Sequence, residues 1–131
     1  MLSSLTMTRT RHTTPRFQLR LVAAKDVVLG PGKADLLEAI EHTGSISSAS
    51  RELGMSYKKG WQLIDTMNRH LPAPVVETRT GGSERGGAYL TPLGEEVLMR
   101  YRALQQRLDP QTCREARELL ALLETTPETP S

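Results

Sequence analysis

Two short helical patterns separated by a tight turn, between residues 44 and 71, constrain this chain more than any other feature. Ser45 is placed to cap the first helix with its hydroxyl, and apolar residues follow at helical spacing as far as Leu53. Gly54 suits the left-handed conformation that ends a helix, and Ser56 can cap the next one. That second helix carries an apolar stripe made of Tyr57, Trp61, Ile64, Met67 and Leu71. The spacing predicts two packed helices, the second with a polar outer face.

A helix-turn-helix is one interpretation of this pattern. In that motif the second helix enters the major groove of DNA, and its first residues reach the base edges. We expect Ser56, Lys58, Lys59 and Gln62 on or beside the outer face, where lysine can neutralise phosphate and glutamine can pair with adenine. A pair of amphipathic helices with a solvated lysine face fits the spacing as well, so this stretch alone leaves both interpretations open.

A glycine-rich loop follows these helices, between two segments of strand character. Residues 75–79 are rich in β-branched side chains, residues 88–91 form the returning strand, and four glycines lie in the eight residues between 80 and 87. A β-hairpin directly after two such helices is the order of a winged helix-turn-helix. The loop lacks the Gly-Lys pair, followed by Ser or Thr, of a phosphate-binding P-loop. Its tip is either without a role or a wing that touches DNA, with Arg79 and Arg85 supplying charge.

The beginning of the chain is basic and then strand-like. Residues 1–15 are rich in Ser, Thr and Arg and contain no acid. They loosely resemble an organelle transit peptide but show no clear amphipathic helix, so a disordered basic arm is the simpler interpretation. Phe17, Leu19 and Leu21 then alternate with polar residues, which predicts a half-buried strand in a hairpin that ends near Leu29.

Two amphipathic helices are predicted after the second hairpin. Thr91 can cap the first, with Pro92 in a favoured first position, and the second covers about residues 111–123. Their apolar side chains either cover the core or pair with a second copy. We favour a homodimer, which a two-fold symmetric reader of a palindromic site would need. The residues predicted to pair are Leu93, Val97, Tyr101, Leu104, Leu108, Leu119, Leu120 and Leu123.

These patterns together predict a mainly α fold with small β content (α+β). The expected architecture is a winged helix-turn-helix with an N-terminal β-hairpin, a first helix at about residues 33–42 and two C-terminal helices. The predicted boundaries are 1–15 for the disordered arm, 16–108 for the winged helix-turn-helix domain, 109–124 for a dimerisation helix and 125–131 for a disordered tail.

Composition argues against several classes of function. The net charge is only +2, but the chain is basic at its start and acidic at its end, which is compatible with contact to a polyanion. Cys113 is the only cysteine and the three histidines lack metal-ligand spacing, so we expect no disulfide and no metal site. No base lies beside a nucleophile, no cofactor motif is present and no run could span a membrane. We expect a cytoplasmic protein that is not an enzyme and needs no cofactor.

Several segments, in this order, resemble the N-terminal DNA-binding domain of the ModE family, the molybdate-responsive transcriptional regulators. The resemblance covers about residues 17–108. The segments are Leu-Gly-Pro-Gly-Lys at 29–33, Leu-Leu-Glu-Ala-Ile at 36–40, Thr-Gly-Ser-Ile-Ser at 43–47, Leu-Gly-Met-Ser-Tyr-Lys at 53–58 with Trp61, Met-Asn at 67–68, Pro-Val-Val-Glu at 74–77, Gly-Gly at 81–82, Gly-Gly-Ala at 86–88 and Leu-Thr-Pro-Leu-Gly at 90–94. The first helix of the pair also resembles the LysR type, although LysR chains carry a large effector domain.

The resemblance implies a bacterial winged helix-turn-helix protein that binds double-stranded operator DNA as a dimer. Residues 56–71 would then be its recognition helix and residues 81–87 its wing. Trp61 is expected in the core, and Gly60, where the family usually has alanine, can admit a close approach. The candidate DNA-binding residues are Ser45, Ser47, Ser56, Tyr57, Lys58, Lys59, Gln62, Arg79, Gly81, Gly82 and Arg85.

One departure from the ModE family and several features of this chain keep other functions open. ModE proteins continue into β-rich domains that bind molybdate, whereas this sequence ends in a helix and a tail, so we expect no molybdate site here and a stand-alone DNA-binding domain. The low net charge, the acidic Glu84 in the wing and the leucine-rich C-terminal helices also fit a winged helix that binds a protein partner. A third possibility is an architectural DNA binder without sequence preference.

Overall fold

The computed structural model describes residues 15–79 and 87–123. The described residues form two compact units, of which the larger lies within Gln18–Gln105 and the smaller contains residues 15–17 and 106–123. The predicted basic arm, the tip of the wing with Gly81, Gly82 and Arg85, and the C-terminal tail lie outside the described residues.

The larger unit contains a hairpin, three helices, a second hairpin and a fourth helix. Both hairpins are two-stranded antiparallel sheets. In chain order the elements are β1 (Leu21–Ala23), β2 (Asp26–Leu29), α1 (Pro31–Thr43), α2 (Ile46–Glu52), α3 (Tyr57–His70), β3 (Val76–Arg79), β4 (Gly87–Leu90) and α4 (Pro92–Arg107). This order confirms the predicted α+β winged helix-turn-helix with an N-terminal hairpin.

The core of the larger unit lies where α1 and α3 meet the start of the second hairpin. Leu36, Leu37 and Ile40 follow the helical period on one side of α1, and all three are fully buried. Ile64 and Met67 of α3 and Val75, just before β3, are also fully buried. Together with the three α1 residues, they are the largest fully buried side chains among the described residues. The core fixes which side of α3 faces inward, and thereby which side faces out.

The turn between α2 and α3 forms through the predicted caps. The Ser45 hydroxyl accepts a hydrogen bond from the Ser48 amide at 3.0 Å, and the Ser56 hydroxyl accepts one from the Lys59 amide at 3.0 Å. Gly54 has a φ of +74°, the left-handed conformation for which glycine was expected there. These interactions between neighbours in the sequence fix where α2 ends and where α3 begins.

The closest crossing of α2 and α3 is made by Ser50 and Gly60. A Cβ atom added to Gly60 would collide with the Ser50 hydroxyl oxygen, which explains why glycine is suited to this position and confirms the expected close approach. Ser50 is 1% exposed, and its hydroxyl has no hydrogen-bond partner among the described residues. The two helices thus pack through small side chains at the cost of a buried hydroxyl without a partner.

The second hairpin, which we call the wing, is tied to the helices at its base. The Val75 amide donates to Asn68 Oδ1 at 2.8 Å, and the Val75 carbonyl accepts from the Thr91 amide at 3.0 Å. A Cβ on Gly94 would collide with that carbonyl oxygen. The Ala88 amide of β4 also donates to the Gly44 carbonyl at 2.9 Å. These bonds hold the wing beside the turn between α1 and α2.

The first hairpin differs from its prediction. Its first strand begins at Leu21 rather than near Phe17, and Leu21 is 54% exposed although its alternation placed it inward. The pairing is irregular between Leu21 and Val22, which interrupts the two-residue alternation. Leu19 packs against the core as expected, and its carbonyl oxygen accepts a hydrogen bond from the Tyr101 hydroxyl at 2.7 Å.

The smaller unit contains the helix α5 (Arg114–Leu123), which begins slightly later than predicted. The Asp109 carbonyl accepts from the amides of Thr112 and Cys113, at 3.0 and 2.8 Å, so a turn precedes the helix. Ala116 is buried and Leu119 is exposed. Across the described residues, no helix combines the length and the apolar character needed to cross a membrane.

Candidate nucleic-acid interface

The outer side of α3 carries the polar residues that the sequence singled out. Lys58, Lys59 and Gln62 are all exposed, whereas Ile64 and Met67 lie on the buried side of the same helix. By the helical period, Lys58 and Gln62 point away from the core, and Lys59 lies on the flank next to the first hairpin. The first two turns of α3 therefore present cations and an amide to solvent.

The charges on α3 divide along its length. Among the described residues, Lys58 and Lys59 take part in no ion pair. Near the other end of the helix, Arg69 lies 3.6 Å from the Asp26 carboxylate and 3.8 Å from that of Asp65. His70 also contacts Asp26, at 2.7 Å. The positive charge at the start of the helix is thus available to a ligand, while the charge at its end is occupied.

The contact between His70 and Asp26 joins the end of α3 to the start of β2. The hydrogen bond from His70 lowers the pKa of the Asp26 carboxyl, and the positive charge of Arg69 lowers it further. His70 is the more enclosed partner, with 21% of its side chain exposed against 36% for Asp26. This cluster anchors the last turn of the candidate recognition helix to the first hairpin.

Trp61 was expected in the core, and this prediction is wrong. Its side chain is 37% exposed, and Tyr57 beside it is 55% exposed. The two rings meet edge to face, with centroids 6.4 Å apart and an angle of 84° between planes. Gly60 takes the inward position at this level because α2 crosses so closely, and the two aromatic side chains are displaced to the flank of the helix. The candidate interface therefore has an aromatic edge.

The α2 residues of the candidate set have different environments. The Ser45 hydroxyl is engaged as the helix cap, whereas Ser47 is exposed. The guanidinium of Arg51 donates to the Ser47 hydroxyl at 3.5 Å. Arg51 is an exposed cation that was not among the predicted DNA-binding residues. The apolar pattern of α2 indicates which residues face the core, but it does not indicate which of the polar residues lie near the turn. Arg51 adds positive charge on the helix that precedes the candidate recognition helix.

Arg79 lies at the end of β3, the last described residue before the tip of the wing. Its guanidinium carbon is 5.0 Å from the centroid of the Tyr89 ring on the paired strand, a cation–π geometry. The Tyr89 hydroxyl donates to Glu77 at 3.1 Å, and this hydrogen bond raises the pKa of Tyr89. Arg79 is thus positioned by its neighbours across the wing and remains exposed.

Among the described residues, no three His, Cys, Asp or Glu side chains are grouped so that they could hold a metal ion. The candidate residues that the structure brings together are those of the α2–α3 pair, and Arg79 lies on the wing stem that packs beside α1.

Comparison with known proteins shows what this domain is similar to. Residues 33–95 match the family described as bacterial regulatory helix-turn-helix protein, lysR family. The chain is 48% identical over 77 residues to the molybdenum-pterin-binding protein MopB of Rhodobacter capsulatus and 42% identical over 95 residues to the molybdenum transport protein ModE of Azotobacter vinelandii. The chain carries a ModE-like helix-turn-helix domain. This confirms the resemblance that the sequence motifs indicated.

The match covers only part of this chain and only part of each relative. It covers 59% of this chain and 28% of MopB, and 71% of this chain and 35% of the Azotobacter ModE. The DNA-binding transcriptional dual regulator ModE of Escherichia coli K12 is 36% identical over 88 residues, which are 67% of this chain and 34% of that protein. The chain thus spans about a third of the length of these relatives.

Proposed function

We propose that this protein is a transcriptional regulator that binds double-stranded DNA through the first half of α3. The observation that carries the proposal is the exposed row of Lys58, Lys59 and Gln62, whose lysines pair with no carboxylate among the described residues, at the start of a helix in a ModE-like domain. Lysine can bind phosphate or guanine and glutamine can bind adenine.

Other residues extend this surface. We include in this surface Ser47 and Arg51 on α2 and the aromatic edge of Tyr57 and Trp61. Arg79 on the wing stem is proposed as a separate contact. We infer that the serines and cations contact the DNA backbone, and that the aromatic edge packs against sugars or thymine methyl groups. Gly81, Gly82 and Arg85 belong to the same proposal as residues of the wing.

The first experiment is selection of bound duplexes from a random pool at two salt concentrations, followed by sequencing. Enrichment of one sequence that survives the higher salt is the expected result, because base contacts persist when phosphate contacts are screened. Retention without enrichment, lost at the higher salt, would instead support an architectural binder. Absence of retention at either salt would overturn DNA binding.

The Lys58→Ala/Lys59→Ala variant tests which residues carry the binding. It should lose about 10- to 100-fold in affinity for the selected duplex. The slope of log affinity against log salt concentration should become shallower by the amount expected for two phosphate contacts. The matched control is Arg107→Ala/Arg114→Ala, which removes two exposed charges outside the helix-turn-helix and should retain the affinity. Equal affinities of the two variants would contradict the proposed interface.

We also propose that the protein binds DNA as a homodimer. Leu21, Val97 and Leu104 line an apolar groove of about 260 Å³ between the first hairpin and α4, and Leu104 is 56% exposed. A second copy presenting the same leucine is a fitting occupant, because a two-fold contact brings the same patch of each copy together. Tyr101, from the predicted set, is 3% exposed and belongs to the core of its own chain. The other predicted pairing residues remain part of this proposal.

Leu104→Glu tests the dimer. Sedimentation equilibrium should show a monomer, and affinity for a palindromic duplex should fall while affinity for a half-site is retained. Met99→Glu is the matched control, because Met99 is 60% exposed on the same helix and does not line the groove. A dimer that persists in the Leu104→Glu variant would exclude this groove as the dimer contact and would favour a different protein as its occupant.

A further inference from the structure

A polar groove of about 390 Å³ lies between the first hairpin and the flank of α3. Asp26 of β2 lies on one wall, Lys33 stands in the first turn of α1, and α3 forms the other wall with Lys59, Gln62, Asp65 and Arg69. Lys33 is outside the α2–α3 pair and is not among the residues proposed above. The groove begins beside Gln62, so it continues the outer face of α3.

The charges in this groove are separated into two ends. At one end, Arg69 and His70 occupy the Asp26 carboxylate, at 3.6 and 2.7 Å, and Arg69 also faces Asp65 at 3.8 Å. At the other end, neither Lys33 nor Lys59 makes an ion pair with any carboxylate among the described residues. The Asp26 carboxylate is therefore paired within the protein. The two lysines have no carboxylate at ion-pair distance among the described residues, although Asp26 attracts Lys33 from farther away.

The two lysines are close enough to affect one another. Burial lowers the pKa of Lys33, and the positive charge of Lys59 lowers it further, whereas Asp26 acts in the opposite direction. Lys33 is only half-exposed, so its ammonium group has fewer water contacts than a surface lysine. An anion placed between the two groups would relieve both the repulsion and the lost hydration.

From this arrangement we propose that Lys33 and Lys59 form a phosphate site at the cationic end of the groove, which holds one backbone phosphate of the bound duplex. The inference rests on the proposed DNA binding. Lys33 reaches this phosphate from α1, beside the row on α3 that reads the bases. Its contribution is to affinity and orientation, because a phosphate carries no sequence information of its own.

The test compares Lys33→Ala with the wild-type full-length chain on two duplexes, the one enriched from the random pool and one of unrelated sequence. Affinity should fall about 3- to 10-fold on both, and the salt dependence of log affinity should decrease by about 0.9, the value for one phosphate. Lys33→Arg should restore both quantities. Arg107→Ala, which removes a single exposed charge on α4, is the matched control and should change neither.

Three results would overturn the phosphate site. The first is an unchanged affinity and salt dependence for Lys33→Ala, while the wild type still binds DNA. The second is a loss confined to the selected duplex, which would make Lys33 a base-reading or purely structural residue. The third is an absence of change in the amide NMR signals of Lys33 and Lys59 when the selected duplex is added, although the signals of Lys58 and Gln62 change. If Lys33→Ala lowers the melting temperature, Lys33→Gln keeps most of the stem and replaces it in the comparison. Failure of the wild type to bind any duplex would instead refute the proposed function itself.

Discussion

The two halves of helix α3 differ in whether their polar side chains are exposed or bonded within the protein. The first half exposes Lys58, Lys59 and Gln62 and meets α2 through Gly60, a residue without a side chain. The second half buries Ile64 and Met67 and engages its polar residues within the protein, with Arg69 and His70 on Asp26 and Asn68 on Val75.

This difference shows how a single helix can be anchored in the fold at one end and still offer polar side chains to a ligand at the other. Side chains that are already hydrogen-bonded or ion-paired inside the fold would have to give up those partners to bind DNA. The first half has few such partners among the described residues, so its polar groups can bind a ligand at little cost. The second half holds the helix in place, which limits the conformational entropy lost on binding.

Ile64→Ala should produce the largest effect. Removing most of a fully buried side chain from the second half should lower the free energy of unfolding by about 2–5 kcal/mol, because a cavity remains in the core. Urea denaturation measures this loss. Gln62→Ala, only two residues away, should stay within about 0.5 kcal/mol of the wild type. Similar losses for the two variants would remove the distinction between the halves.

A double-mutant cycle at Ser50 and Gly60 should show the next largest effect. Ser50→Ala removes a buried hydroxyl without a partner and should be neutral or stabilising by about 1 kcal/mol. Gly60→Ala gains about 1 kcal/mol of helix propensity but forces the Ser50 hydroxyl aside, so alone it should destabilise. Together the changes should stabilise, with a coupling of about 1–2 kcal/mol in thermal or urea unfolding. Additive effects would show that the crossing is looser than the structure indicates.

Asp26→Asn should have the smallest effect, and one that depends on pH. The pKa of Asp26 in the folded protein lies below its ordinary value of 3.8, so the contact with His70 and Arg69 stabilises the fold above that pH. This contribution is lost as the pH falls through the lowered pKa. The variant should therefore be less stable than the wild type near neutral pH, and the difference in stability between the two should shrink as the pH falls below 3.8 and through the lowered pKa.

Unfolding midpoints measured from pH 7 to pH 2 test this expectation. Glu41→Gln is the matched control, since Glu41 is an exposed carboxylate that makes no ion pair among the described residues. A constant difference between Asp26→Asn and the wild type across this range would show that Asp26 acts through packing and not through its charge.

The parts of the interface that depend on near neighbours were predicted well from the sequence. Ser45, Ser56 and Gly54 act where expected, because a cap is made within three or four residues of the chain. The wing was predicted from a β-branched segment and a returning strand on either side of a glycine-rich loop. Its tip stays a prediction, as do the individual DNA contacts and the dimer.

The predictions that failed depended on which side of an element faces the core. Trp61 was placed inside because it shares a helical stripe with Ile64, but the close crossing at Gly60 moves it to the flank. Leu21 was placed inside by its alternation, which an irregular strand pairing interrupts. The Lys33–Lys59 groove was not predicted at all, because those residues are far apart in the sequence.

The sequence by itself determined the order of the elements, their caps and the exposure of the lysine row on α3, because periodicity and hydrogen bonds between near neighbours are encoded locally. Only the tertiary structure decided that Tyr101 belongs to the core, that Trp61 is exposed beside the candidate interface and that Lys33 and Lys59 line one groove. These outcomes depend on how elements from different parts of the chain pack against one another. At the crossing of α2 and α3, for example, the small residues Ser50 and Gly60 let the helices approach closely, and this displaces Trp61 only once both helices are in place.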